Sequence, residues 1–331
     1  MEPELIEPRH NLAWLWIGLS ILIVVAISYF VYVGYFSAKT SNDQTDEKVA
    51  EVAVAEEWKL GSTIVKAEAT STDTHKISDT LYRRYYMVDG GIFYDESTDG
   101  LTFTGKFPTG VVEEKGKMIS NPAVLEATQG NWIMIYEMAP IRTPGSNSGK
   151  PGTSNQRDLY LAKSKDGKSF IAAGNAIDSA KADNYFASVP DLIKTPDGKI
   201  RMYYVSGGNA IGSALSSDNG VTWVREAGYR LENSAVDPDV IYKDGKWVMY
   251  YSLLEPTKNA MYKATSTDGL KWSNEKLLFN ATTGGAIVDP DVFETSAEIF
   301  VMFFGQSSGG GSTGKEMINL YKGTFTGDIF K

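Results

Sequence analysis

The sequence predicts an all-β chain: a five-bladed β-propeller of four-stranded antiparallel blades, preceded by one N-terminal transmembrane helix. Three observations lead there: a turn motif that recurs four times, a proline-containing strand start that recurs between the turns, and an uncharged apolar run near the N-terminus.

The turn motif reads Ser-x-Asp-Gly-x-x-aromatic. It occurs as Ser97 to Phe103, Ser164 to Phe170 and Ser266 to Trp272, and one residue longer as Ser216 to Trp223. Asp-Gly suits a tight hairpin because its residues tolerate positive φ and the Asp side chain bonds nearby backbone. These aspartates (Asp99, Asp166, Asp218, Asp268) are therefore read as turn formers. The second motif is Asn121-Pro122-Ala123-Val124, then Val189-Pro190-Asp191-Leu192, Asp237-Pro238-Asp239-Val240 and Asp289-Pro290-Asp291-Val292. Each copy is followed by a turn and a strand ending in aromatics, such as Met202-Tyr203-Tyr204. A degenerate first copy is placed at Ser78-Asp79-Thr80-Leu81, before Arg84 to Met87.

Each repeat reads as one blade. The proline motif opens the inner strand, the aromatic strand is second, and a third strand enters the Ser-x-Asp-Gly turn. The outer strand begins at the aromatic. Blade starts fall near 79, 121, 189, 237 and 289. The last blade lacks an outer strand of its own, and Trp58-Lys59-Leu60-Gly61 resembles one. Residues 58–66 are expected to close the ring by pairing with the last blade, which protects the edges an open array would expose.

Upstream, Leu12 to Phe36 carries no charge and is long enough to span a hydrocarbon core of about 30 Å. Trp14 and Trp16 lie near one end, and Tyr32, Tyr35 and Phe36 near the other, as an aromatic belt requires. A signal peptide has a shorter apolar region followed by a small-residue cleavage site, so an uncleaved anchor is the expectation. The domains are then a tail over 1–11, the anchor over 12–36, a flexible linker over 37–56 and the propeller over 57–331. The expected location is the cell membrane, single-pass, with the propeller on the extracytoplasmic side. The bilayer is engaged through residues 12–36.

Composition removes several function classes. The net charge is -9, and no Lys/Arg cluster offers a nucleic-acid footprint. There are no cysteines, which excludes thiol nucleophiles and Cys-based zinc sites. A Ser-His-Asp triad would need His75, read here as lying in a polar linker. No cofactor or metal is indicated; calcium, held by carboxylates and carbonyls, leaves no spacing signature.

The Ser216 to Trp223 copy resembles the Asp-box of sialidases. The Asp-Pro-Asp-Val starts, followed by Met-Tyr-Tyr strands, are similar to the five-bladed propellers of glycoside hydrolase family 43 and its furanosidase relatives, over residues 58–331. That resemblance implies a glycan or oligosaccharide partner and a funnel of carboxylates at the blade starts. It makes Asp79 the base, with Thr80 where the family has proline. Val189 stands where the family has its third-blade aspartate, and Asp237 where it has its acidic glutamate.

Glycoside hydrolysis needs two carboxyl groups across the scissile bond. The candidate catalytic set is Asp79, Asp237, Asp289 and Glu137, the last at the end of a second strand. Asn121, Arg142 and Arg157 are candidate substrate-binding residues, the arginines bounding a long polar loop. Two readings stay open: a membrane-tethered glycosidase, and a non-catalytic propeller that binds a glycan or protein at the cell surface.

Overall fold

The alternation of aromatic and small residues along each short run favours pleated strands with packing on both faces. The structure, a computed structural model, describes residues 58–66, 69–141, 155–255, 258–281, 285–307 and 318–331. Among these no helix is long and apolar enough to cross a membrane. The expected anchor over 12–36, the linker over 37–56 and Arg142 lie outside the described residues.

Five four-stranded antiparallel sheets make up the fold. Blade 1 holds β2 (Thr70–Ser78), β3 (Leu81–Val88), β4 (Gly91–Ser97) and β5 (Thr104–Val112). Blade 2 holds β6 (Lys117–Thr128), β7 (Asn131–Pro140), β8 (Asp158–Ser164) and β9 (Ile171–Ile177). In blade 3 these are β10 (Ala187–Lys194), β11 (Ile200–Ser206), β12 (Ala210–Ser216) and a two-residue β13 (Val224–Arg225). Blade 4 runs through β14 (Ala235–Lys243), β15 (Lys246–Glu255), β16 (Lys258–Ser266) and β17 (Ser273–Asn280). Blade 5 has β18 (Ile287–Ser296), β19 (Ile299–Ser307) and β20 (Ile318–Thr326).

Its outer strand is β1 (Lys59–Leu60), which pairs with β20 through Lys59 with Thr324 and Leu60 with Gly323. The segment N-terminal to blade 1 thus supplies the outer strand of blade 5. Trp58 anchors it, buried edge-on against Tyr250 (5.9 Å between centroids) and beside Phe325 (5.6 Å). At the far end of the same segment Lys66 pairs with Asp95 of blade 1 (3.0 Å). That aspartate also holds Arg84, which is buried between the rings of Phe103 and Phe303.

The four Ser-x-Asp turns share one hydrogen-bond pattern. In the first, the Ser97 hydroxyl accepts from Gly100 N (2.9 Å), while Asp99 Oδ1 accepts from the N–H groups of Leu101 and Thr102 (2.8 Å each). Those backbone donors favour the charged form, so the carboxyls of Asp99 and Asp166 are lowered to about 2. In the longer third copy Gly220 has φ of 83°, and a Cβ there would lie 2.3 Å from Ile133 of blade 2. Only glycine lets that turn lie flat on its neighbour.

Polar contacts seal most seams between blades. Tyr85 donates to Gly167 O (2.5 Å) across blades 1 and 2, and Tyr203 to Gly269 O (2.6 Å) across blades 3 and 4. Between blades 2 and 3 the equivalent positions are Ile133 and Ile135, which have no donor. A crevice of about 790 Å³ opens there, lined among others by Trp132, Ile171 and Val221.

Because the closing strand is so short, Trp58 should carry much of the closure. Trp58→Ala should cost about 3–5 kcal/mol in urea unfolding of the full chain, as for other buried tryptophans cut to alanine. A loss under about 1 kcal/mol would mean that the strand hydrogen bonds alone close the ring.

Candidate functional site at the funnel mouth

Every inner strand begins with the same backbone irregularity. Ser71, Asn121, Val189, Asp237 and Asp289 take φ of 52°, 52°, 43°, 54° and 52°. At each of them the register with the second strand shifts, so two residues oppose one. Such a bulge re-aims side chains that strict alternation would send elsewhere. Two tiers of side chains result.

The deeper tier holds the blades together. The carboxylate two residues past each bulge residue accepts a backbone N–H from the next blade. Asp191 accepts from Val240 N (3.0 Å), Asp239 from Val292 N (3.1 Å) and Asp291 from Thr74 N (3.0 Å). Asp73 accepts from Val124 N in the same manner. Blade 2 has Ala123 at this position, so the seam to blade 3 lacks the clamp as well as the turn donors. Asp291 also receives the Thr74 hydroxyl (2.6 Å).

His75 lies on β2 in this tier, 3.0 Å from Asp73. This corrects the expectation of a polar linker: the residue lies on an inner strand and its charge partner belongs to the clamp. Burial disfavours its charged form, but Asp73 and further aspartates outweigh that and raise its pKa. Burial, and then the charge of Asp73, pushes Asp191 up to about 8 and Asp291 up to about 6. Asp239 is raised well above the usual carboxylate range by burial and by Asp191 and Asp291.

The upper tier is one connected polar network. The Ser71 hydroxyl donates to Asp289 Oδ2 (2.7 Å) and also lies against Asn121 Oδ1. Asn121 Nδ2 donates to Glu137 Oε2 (2.7 Å), which also receives the Ser188 hydroxyl. Glu137 Oε1 is held by Arg157 (2.7 Å). Asp289 N approaches Asp237 Oδ2 at 3.4 Å. Below the mouth the funnel narrows to a cavity of about 20 Å³, room for about one water, lined by residues of both tiers including Ser71, Asn121, Val189 and Asp289.

The expected site residues divide accordingly. Asp237, Asp289, Asn121 and Glu137 converge at the mouth. Arg157 is buried, with its guanidinium over the Phe186 ring (4.7 Å) and against Glu137, so it fixes the carboxylate rather than facing the opening. Asp79 is elsewhere. It sits in the β2–β3 hairpin, its side chain fully exposed and 3.4 Å from Lys76. The blade-1 start is Ser71, eight residues earlier, and it bears no carboxyl.

One signal in the sequence could have found Ser71. Ile135, Tyr203 and Phe303 each lie 14 residues after their blade starts, and Tyr85 lies 14 after Ser71. Ser71-Thr72-Asp73 lacks the proline that marked the other copies.

Burial, and then the neighbouring Asp289 charge, raises Asp237 well above the usual carboxylate range. Burial and a like-charged neighbour both favour the protonated form of this carboxyl. Val189 stands apart. Ser, Asn and Asp tolerate positive φ, but a β-branched residue there is a true outlier, at a cost of about 1–3 kcal/mol.

No protein-family model matches the sequence, and no curated protein matches it. Solved structures do. A family 117 glycoside hydrolase from the marine bacterium Zobellia galactanivorans aligns with TM-score 0.59 and 13% identity, over 81% of this chain and 91% of that one. A thermostable family-43 glycoside hydrolase aligns with TM-score 0.56 and 13% identity, over 79% and 91%. The fold is that of these glycosidase propellers. A protein of unknown function from Dyadobacter fermentans has the same likeness, with TM-score 0.56 and 13% identity over 82% and 98%. Identities of this size establish shared architecture, and function has to be argued from the site.

The clamp tier makes stability pH-dependent with a definite sign. Unfolded, these carboxyls ionise near pH 4. Folded, they keep their protons longer. Their stabilisation is complete below about pH 4 and is lost as pH rises to about 6 for Asp291 and about 8 for Asp191. His75 acts in the same sense above its ordinary value of 6.5. The chain should resist urea better at about pH 5 than at about pH 8. Asp191→Asn, which keeps an oxygen for Val240 N, should shrink that difference. Stability that rises over this interval would contradict the assignment.

Proposed function

We propose that this chain is a membrane-tethered, carbohydrate-active propeller that takes the end of a glycan at the funnel mouth on the extracytoplasmic side. The observation that carries the reading is the buried Asp237, its pKa raised by burial and by Asp289, beside the half-buried Asp289 at adjacent blade starts. It is supported by an architecture shared with glycosidase propellers and by the apolar run over 12–36.

In this reading Asp237 protonates the leaving oxygen. Asp289, held by Ser71, is the carboxylate that activates water or stabilises developing positive charge on the sugar. Glu137 is not the acid: both its oxygens already accept from Arg157, Asn121 and Ser188. Its part is to fix Asn121 and the blade-2 side of the mouth.

A second reading, binding without cleavage, is favoured by one specific observation. Ser71 and Val189 place no carboxyl at the starts of blades 1 and 3. The two readings separate in one experiment on the full chain in detergent, incubated with arabinan, xylan, fructan and mixed cell-surface glycans. Product release that falls by about 100-fold or more in Asp237→Asn and Asp289→Asn makes the chain a glycosidase. Equal retention of glycan by all three proteins, with no product, makes it a binding propeller. Neither release nor retention removes the carbohydrate reading. The tether is checked separately: with 12–36 spanning the bilayer, the chain should stay in the membrane pellet through alkaline extraction, and release into the supernatant would refute the anchor.

A further inference from the structure

The strained position at blade 3 has a use that the fold does not require. Four blade starts carry Ser, Asn, Asp and Asp, residues that reach positive φ easily and hydrogen-bond within the mouth. The fifth, Val189, holds φ of 43° with a β-branched side chain. The bulge could be built at lower cost with asparagine or aspartate, which three of the other starts carry. Val189 nonetheless lines the funnel beside Ser71, Asn121 and Asp289, and it packs against the buried cluster of Phe186, Val205 and Val236. One blade start is therefore apolar where the other four present a hydroxyl, an amide or a carboxyl, and the packing behind it keeps the strained backbone in place.

Resting on the glycan reading above, we propose that Val189 is a specificity-determining residue that selects a sugar presenting a methyl group toward blade 3. A sugar hydroxyl entering this sector meets no partner on Val189 and loses its water unpaired, whereas a methyl group is buried against the valine. The methyl group is either the C6 methyl of a 6-deoxyhexose or the methyl of an N-acetyl group. These two sources share one recognition chemistry.

The test is calorimetric titration of the full chain in detergent with matched oligosaccharide pairs. Two pairs differ only at C6, L-fucose against L-galactose ends and L-rhamnose against L-mannose ends. A third sets N-acetylglucosamine against glucose ends. The methyl-bearing member of at least one pair should bind about tenfold more tightly, the usual worth of one carbon in an apolar pocket. The pair that responds identifies the source.

Val189→Thr keeps the β-branch and the strained backbone but adds a hydroxyl, so it should bring the ratio close to one. Val189→Asn should do the same and also raise the melting temperature, because asparagine accepts positive φ. Equal binding of both members by the parent overturns the inference, as does a preference that survives in Val189→Thr. In either case the glycan reading stands, because glycan is still bound. If no member of any pair binds, the glycan reading falls and this inference falls with it.

Discussion

The ring depends on a carboxylate reaching across a seam to accept the first free N–H of the next inner strand. Asp73, Asp191, Asp239 and Asp291 all do this. An inner strand has no hydrogen-bonding neighbour on its funnel side, so these N–H groups would otherwise be buried without partners. Each such hydrogen bond contributes about 0.5–1.5 kcal/mol. Burying four such carboxyls and gathering them in one channel both oppose ionisation, and the raised pKa values of Asp191, Asp239 and Asp291 are the result. The clamp is therefore a compromise between satisfying the backbone and crowding charge.

The same backbone irregularity makes both the clamp and the candidate site. The bulge that seats Asp239 against Val292 turns Asp237 toward the mouth, and Asp291 and Asp289 repeat the arrangement. Fold and site are thus coupled at a distance of two residues. Where one member of the pair changes, the local structure changes with it. Ala123 leaves the second seam without its clamp, and the same seam lacks turn donors and opens into a crevice. At the mouth this seam is held instead by Glu137, which binds Arg157 and Asn121 on its own side and Ser188 across it.

Electrostatics then assign unequal parts to three carboxyls that look alike in the sequence. Glu137 is fully buried, but an arginine, an amide and a hydroxyl use up its acceptor capacity. Asp237 is nearly as buried and has a carboxylate for a neighbour, and both raise its pKa. Asp289 is more open and held by a hydroxyl. Of the three, Glu137 has both oxygens occupied by its neighbours. This is why Glu137, a reasonable acid by position on its strand, is a scaffold residue by environment.

Much of the architecture was legible because it is local. The Asp-Gly turns, the aromatic second strands, the count of five blades and the N-terminal closing strand all follow from motifs that specify their own hydrogen bonds, or from a strand missing at one end and surplus at the other. What the sequence could not settle lies at the blade starts. Strand alternation puts residues two apart on one face, which gives Asp237 and Asp239 no reason to meet different partners, and the proline that marks four starts is missing at the first. The bulge breaks that alternation and sends the two aspartates to different partners. It also made Ser71, with no proline and no charge, the true start of blade 1, while Asp79 fell in an exposed hairpin. Composition and turn chemistry by themselves determined which segments are strands. Only the tertiary structure decided which side chains meet at the axis, because that depends on a register shift within each inner strand and on the neighbouring blade that receives it.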